Sequence, residues 1–294
     1  MSQTVTSRRQ RSWDLRAAGN FIGGGTGAGL IVTAAIAAAT GAPFRLPLAL
    51  GLGCVAAGLS LVWLEIGKPW RAFNVFFHPR TSWMTREGIV ATVLIPLGAL
   101  AVVAGNIPGA VLTALLAAGF LFCQARILRA ARGIPAWRQQ EIVALILAAG
   151  LAEGCGVFLI VGAHGVRWLT VALLALLARE AAWLTYRAGL AATPAAARSL
   201  AVFDAAPARW ARGAQLGGLG LVVVALGLAL LAARDPTTVP AVAITALAWT
   251  GGLLAALSGW GVKALLITRA GFTRAVVVPV VPTRGSRGSH ARQA

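Results

Sequence analysis

The chain has 294 residues, of which 58% are hydrophobic and only 12% charged, and its mean hydropathy is +0.79. Soluble domains carry about a quarter charged residues, so a soluble globular protein is excluded. The net charge of +18 would suggest nucleic acid in a soluble domain, but 23 of the 26 Lys and Arg residues fall on alternate segments between apolar runs. The charge is therefore topogenic, facing anionic lipid or a partner, and nucleic-acid binding is unnecessary.

In chain order, eight apolar runs of the length that crosses a bilayer are predicted at 17–40, 46–65, 87–107, 109–128, 140–163, 166–187, 213–233 and 239–267. The first follows "SRRQR" as a signal peptide would, but its length and the seven spans after it favour a retained helix. The expectation is an all-α, multi-pass protein of the cell inner membrane, with a tail at 1–16, an eight-helix transmembrane domain at 17–268 and a tail at 269–294. That last tail is expected to be disordered, and its end, "RGSRGSHARQA", is polar and of low complexity. With the N-terminus inside, only Arg45, Arg167 and Arg234 lie outside, so the positive-inside rule places both termini in the cytoplasm. The outside links are too short to build a domain. The inside loops "ARILRAARGIPAWRQQE" and "LAATPAAARSLAVFDAAPARWARG" suit docking of a separate subunit or interfacial anchoring by Trp and Arg.

The glycine run "NFIGGGTGAG" (20–29) lacks the Lys-Ser/Thr and the preceding strand of a phosphate loop. Gly23/Gly27 and Gly25/Gly29 read as small-residue pairs for close helix packing, or as room for a flat ligand. Cys54, Cys123 and Cys155 stand singly in apolar runs, without the spacing of a zinc, iron–sulfur or redox site. His78, His164 and His290 fall inside, outside and in the tail, so no pair can ligate one haem iron, and no metal site is predicted.

Eight acids remain. Asp14, Glu141, Asp204 and Asp235 lie at span ends or in loops, and Glu180 is expected to pair with its neighbour Arg179. Glu153 sits about 18 Å along its helix from Glu141. An intramembrane acid is costly, so it marks either a proton route or a helix-to-helix hydrogen bond.

The stretch "WLEIGKPWRAFNVFFHPRTSWMTRE" (63–87) gathers two glutamates and six aromatic residues in an otherwise bland chain. Glu65 ends the second span and Glu87 opens the third, so the two can converge at one depth. Glu87 has a capping explanation, with Thr85 as the cap. Glu65 has none: the dipole at a helix C-terminus and its apolar flank both favour the neutral acid, which suits proton exchange. Beyond Gly67 and Pro69, the residues Trp70, Phe73, Phe76 and Phe77 recur at amphipathic-helix spacing, and Arg71 stands over that surface as a hydrogen-bond donor. An acid, a cationic donor and aromatic walls meet the needs of a quinone.

The pattern L-E-I-G-K-P-W-R-A-F-N followed by H-P-R-T-S-W-M-T-R-E resembles the signature of the membrane anchor subunits of molybdopterin oxidoreductases, the dimethyl sulfoxide reductase anchor and polysulfide reductase (NrfD-like) superfamily. "GIPAW" (133–137) is similar to a further element of that family, and eight spans agree with its fold. The resemblance implies a quinone-reactive subunit with no haem or cluster of its own. It would exchange electrons between ubiquinone or menaquinone and a four-cluster iron–sulfur subunit attached to a molybdenum or tungsten catalytic subunit. By position, Glu65, Arg71 and Glu87 match the quinone-site region, with Trp63, Trp70, Phe73, His78 and Trp83 expected around the ring and Glu153 on a proton path. Relatives often carry His or Asp in place of Glu65. The phenylacetyl-CoA:acceptor oxidoreductase and sulfite dehydrogenase subgroups look similar, with the partners on the cytoplasmic side. The alternative from another class is a secondary transporter of a small solute.

Overall fold

The computed structural model describes residues 3–5, 7–65, 69–274 and 276–278; the side chains of 3–5, 65, 69–72 and 276–278 lie outside that description. Among the described residues, eight helices are long and apolar enough to cross a membrane: α1 (Leu15–Ala39), α2 (Arg45–Glu65), α3 (Trp83–Ala104), α4 (Ile107–Ala130), α5 (Ile142–Val161), α6 (Val166–Ala192), α8 (Ala206–Arg234) and α9 (Ala241–Thr268). They match the predicted spans within a few residues except at the start of α8, which begins seven residues early. A short amphipathic helix, α7 (Ala197–Asp204), precedes it, and a 3-10 segment (Pro69–Phe77) links α2 to α3.

α1 is the axis of the bundle and packs against α2, α4, α5 and α9. Seventeen of its 25 residues are buried, because its glycines admit neighbouring backbones. A Cβ at Gly23 would come within 2.7 Å of the Cys54 carbonyl oxygen on α2, and one at Gly29 would overlap the Gly150 carbonyl on α5. The packing account of the glycine run thus holds for Gly23, Gly27 and Gly29. Gly24 and Gly25 do something else, as described below.

The two tails meet at one end of the bundle. Gln10 donates its amide to the Gly271 carbonyl at 2.8 Å, Thr273 donates to Arg8 at 2.8 Å, and strand β1 (Gln3–Val5) pairs antiparallel with β2 (Val276–Val278). The second tail therefore departs from the expected disorder at 269–274 and 276–278, and "RGSRGSHARQA" lies outside the described residues. The "GIPAW" loop folds into this same end. Trp137 is buried, stacks on Trp13 with centroids 4.9 Å apart and donates Nε1–H to the Leu266 carbonyl at 3.0 Å, while Tyr186 donates to the Ala136 carbonyl at 3.1 Å. Its tryptophan closes the bundle and is not free for docking.

Candidate functional site

α3 starts four residues ahead of its predicted position. Its N-cap is Ser82, not Thr85: the Ser82 hydroxyl accepts from the Thr85 amide at 3.3 Å. Glu87 thereby moves to the second turn, beyond capping range and past the strongest part of the helix dipole. Capping does not account for it. Its side chain turns into the bundle and is 5% exposed.

Two buried amides from other helices, Asn20 of α1 and Gln124 of α4, lie against the Glu87 carboxyl. Gln124 also donates to the Asn20 backbone carbonyl at 3.1 Å. Gly24 supplies the space, since a Cβ there would overlap the Gln124 amide. Glu87 Oε1, Asn20 Oδ1 and Gln124 Oε1 are each shielded from solvent without a hydrogen-bond partner among the described residues. A buried acceptor left unpaired costs about 1–3 kcal/mol, so this cluster wants a proton or a donor from a ligand.

Glu87 and Asn20 form the polar edge of a cavity of about 500 Å³ between α1, α2 and α3. Trp13, Phe21, Trp63, Phe73 and Phe76 wall it near the tails' end of the bundle, and Thr92, Ile95 and Pro96 line it farther along α3. Glu87 to Pro96 spans about 13 Å of helix, so the cavity is deep relative to its polar edge. Its shape suits a planar ring with an apolar tail.

The expected site residues do not all come together. Trp63, Phe73 and Glu87 come together at this cavity. Trp83 turns away: its ring meets Phe122 edge-on at 5.8 Å, and the Arg86 and Arg126 guanidiniums lie over it, 4.1 and 4.7 Å from its centroid. His78 is exposed beyond the 3-10 segment, where its carbonyl accepts from the Ser82 amide at 3.0 Å. The side chains of Glu65, Trp70 and Arg71, and so any convergence of Glu65 with Glu87, lie outside the described residues.

Glu153 belongs to a second polar centre. It is fully buried and accepts from Lys263 Nζ at 2.8 Å and from Thr26 Oγ1 at 2.6 Å. Trp260 Nε1 donates to Thr26 at 2.9 Å, and Lys263 also donates to the Phe21 carbonyl at 3.1 Å. Gly25 and Gly259 leave room for the two charged side chains. Phe21 adjoins Asn20, so α1 carries polar contacts from the cavity edge to this pair.

Arg179 and Glu180 do not pair. Consecutive helical residues point about 100° apart: Arg179 is buried and donates to the Ala255 carbonyl at 2.6 Å and to Ser258 at 3.0 Å, whereas Glu180 accepts from both terminal nitrogens of Arg212 and from Gln215 at 2.7 Å.

Sequence reasoning missed Asn20, Gln124 and Lys263. Their common signal is a polar side chain well inside an apolar run, a rule applied above to acids alone. No family model and no curated protein matches the chain.

Proposed function

We propose that this chain is the membrane anchor and quinone-reactive subunit of a multisubunit molybdenum or tungsten iron–sulfur oxidoreductase. The observation that carries this reading is Glu87, a buried carboxyl with an oxygen unpartnered among the described residues, at the polar edge of an aromatic-walled, elongated cavity. The quinone, ubiquinone or menaquinone, is an exchangeable substrate. Its ring would lie against Glu87, Asn20 and Phe21, and its tail along Ile95 and Pro96. Electrons from the iron–sulfur subunit reduce the quinone there: two electrons and two protons give the quinol, the first proton passing from the Glu87 carboxyl to a ring oxygen. Quinol oxidation runs the same steps backwards. Arg71 and Glu65, close in sequence to the aromatic wall, are proposed to complete the site, and the Glu153–Lys263 pair to extend its proton route.

The basic residues support an inner-membrane orientation with both tails in the cytoplasm and the iron–sulfur and molybdopterin subunits docked on that face. Phenylacetyl-CoA or sulfite oxidation is the proposed upstream chemistry. The test is the assembled complex carrying Glu87→Gln or Arg71→Ala, assayed with quinone and, separately, with a soluble dye. Loss of quinone-linked turnover with dye-linked turnover intact is expected; unchanged quinone activity in both variants would refute the site.

A second reading, a secondary transporter, draws on the buried Glu153–Lys263 pair. Solute uptake by the isolated chain in proteoliposomes would favour it, whereas co-purification with an iron–sulfur protein favours the anchor.

A further inference from the structure

At the end of the bundle where the tails meet, a second cavity of about 530 Å³ is lined by Arg9, Arg198 and Arg269, from the first tail, α7 and the end of α9. No acid lines it. Asp204, at the end of the same short helix as Arg198, is committed to Arg187 at 2.8 Å, and among the described residues none of the three arginines forms an ion pair. The one side-chain hydrogen bond seen among the three runs from Arg198 to the Ser7 carbonyl at 3.2 Å.

The walls are fixed. Arg9 bridges to Phe272 through the backbone, and Ser199, next to Arg198, donates to the Ala270 carbonyl at 2.7 Å. The remaining lining is apolar, including Val202, Leu265 and Phe272. Leu265 lies in the last turn of α9, and Arg269 directly follows that helix. α9 is long and apolar enough to cross a membrane, so in a bilayer its end, and the cavity beside it, would come near the lipid headgroups.

We propose that this cavity binds the phosphodiester of an anionic glycerophospholipid. Guanidinium forks donate in pairs to non-bridging phosphate oxygens, and the apolar floor takes the glycerol and first methylenes. A choline headgroup would bring its own cation against three uncompensated positive charges, so the site selects phosphatidylglycerol over phosphatidylcholine.

The test is native mass spectrometry of the delipidated full chain, titrated with phosphatidylglycerol, phosphatidylcholine or inorganic phosphate. Wild type is expected to retain one phosphatidylglycerol more tightly than any phosphatidylcholine. Affinity for that molecule should fall roughly tenfold in Arg198→Gln/Arg269→Gln, the loss of one or two charge-assisted bonds, and not in a control, Arg129→Gln/Arg132→Gln. Arg9→Gln, in the tail, should give the same direction and serves if the double variant fails to fold. Equal retention of both lipids, a control that loses as much as the cavity variants, or displacement of the lipid by equimolar inorganic phosphate would overturn the proposal. So would phosphatidylglycerol binding unchanged in Arg9→Gln and in any double variant that folds.

Discussion

Lys263 and Glu153 meet at 2.8 Å inside the bundle, with side chains 1% and 0% exposed. Removing one partner of such a pair strands a charge away from water, which costs about 3–5 kcal/mol, whereas removing both relieves much of that penalty. Lys263→Met and Glu153→Gln should each lower the midpoint of unfolding in detergent strongly. The double variant should lie well above the sum of the two losses, a coupling read directly from the double-mutant cycle.

Glu87→Gln keeps the shape of the side chain and removes the proton exchange proposed for it. In the complex, quinone-linked turnover should fall by about 10²–10⁴, the usual contribution of a positioned acid or base. Asn20→Leu should instead weaken quinone binding, because Asn20 lines the cavity without exchanging protons. Steady-state kinetics separates a lower kcat from a higher KM.

Two glycines test the packing of α1 and α4 in opposite directions. Gly29→Ala forces a methyl into the Gly150 carbonyl and should destabilise by about 1–3 kcal/mol or more. Gly119→Ala on α4 meets open space and should stabilise by about 0.5–1 kcal/mol. Thermal unfolding of the two purified variants gives both signs.

Asp14 caps α1, accepting from the Arg16 amide at 2.7 Å and the Arg16 side chain at 2.9 Å. The Arg16 side chain, then its backbone amide, holds the carboxyl below the usual carboxylate range. Because the folded value is the lower one, its contribution is present above the unfolded pKa and disappears as pH falls through the folded pKa. Amide exchange in the first turn of α1, corrected for its intrinsic pH dependence, should therefore show fraying on acidification in wild type and at all pH values in Asp14→Ala.

The spans were legible because apolar length is a one-dimensional property: a bilayer demands it of every crossing helix, whatever the helix packs against. Helix starts were less so, and one mattered. Placing the start of α3 at 87 instead of Trp83 made Glu87 look like a first-turn acid held by the cap and the helix dipole, and hid its burial. Asn20, Gln124 and Lys263 were not legible as a site, because their meaning comes from neighbours that are distant in sequence, Gln124 from Asn20 and Lys263 from Glu153. The opposite orientations of Arg179 and Glu180 could have been anticipated from helix geometry alone.

The backbone bonds joining Arg8–Gln10 to Gly271–Thr273 make this bundle mechanically a loop closed by a clasp. Tension applied to the two tails opens that clasp as a zipper, one bond at a time, before any load reaches the helices. Cargo attached to either tail would therefore tug first on a few amide–carbonyl contacts at the surface, leaving the glycine-packed interior of α1 unstrained.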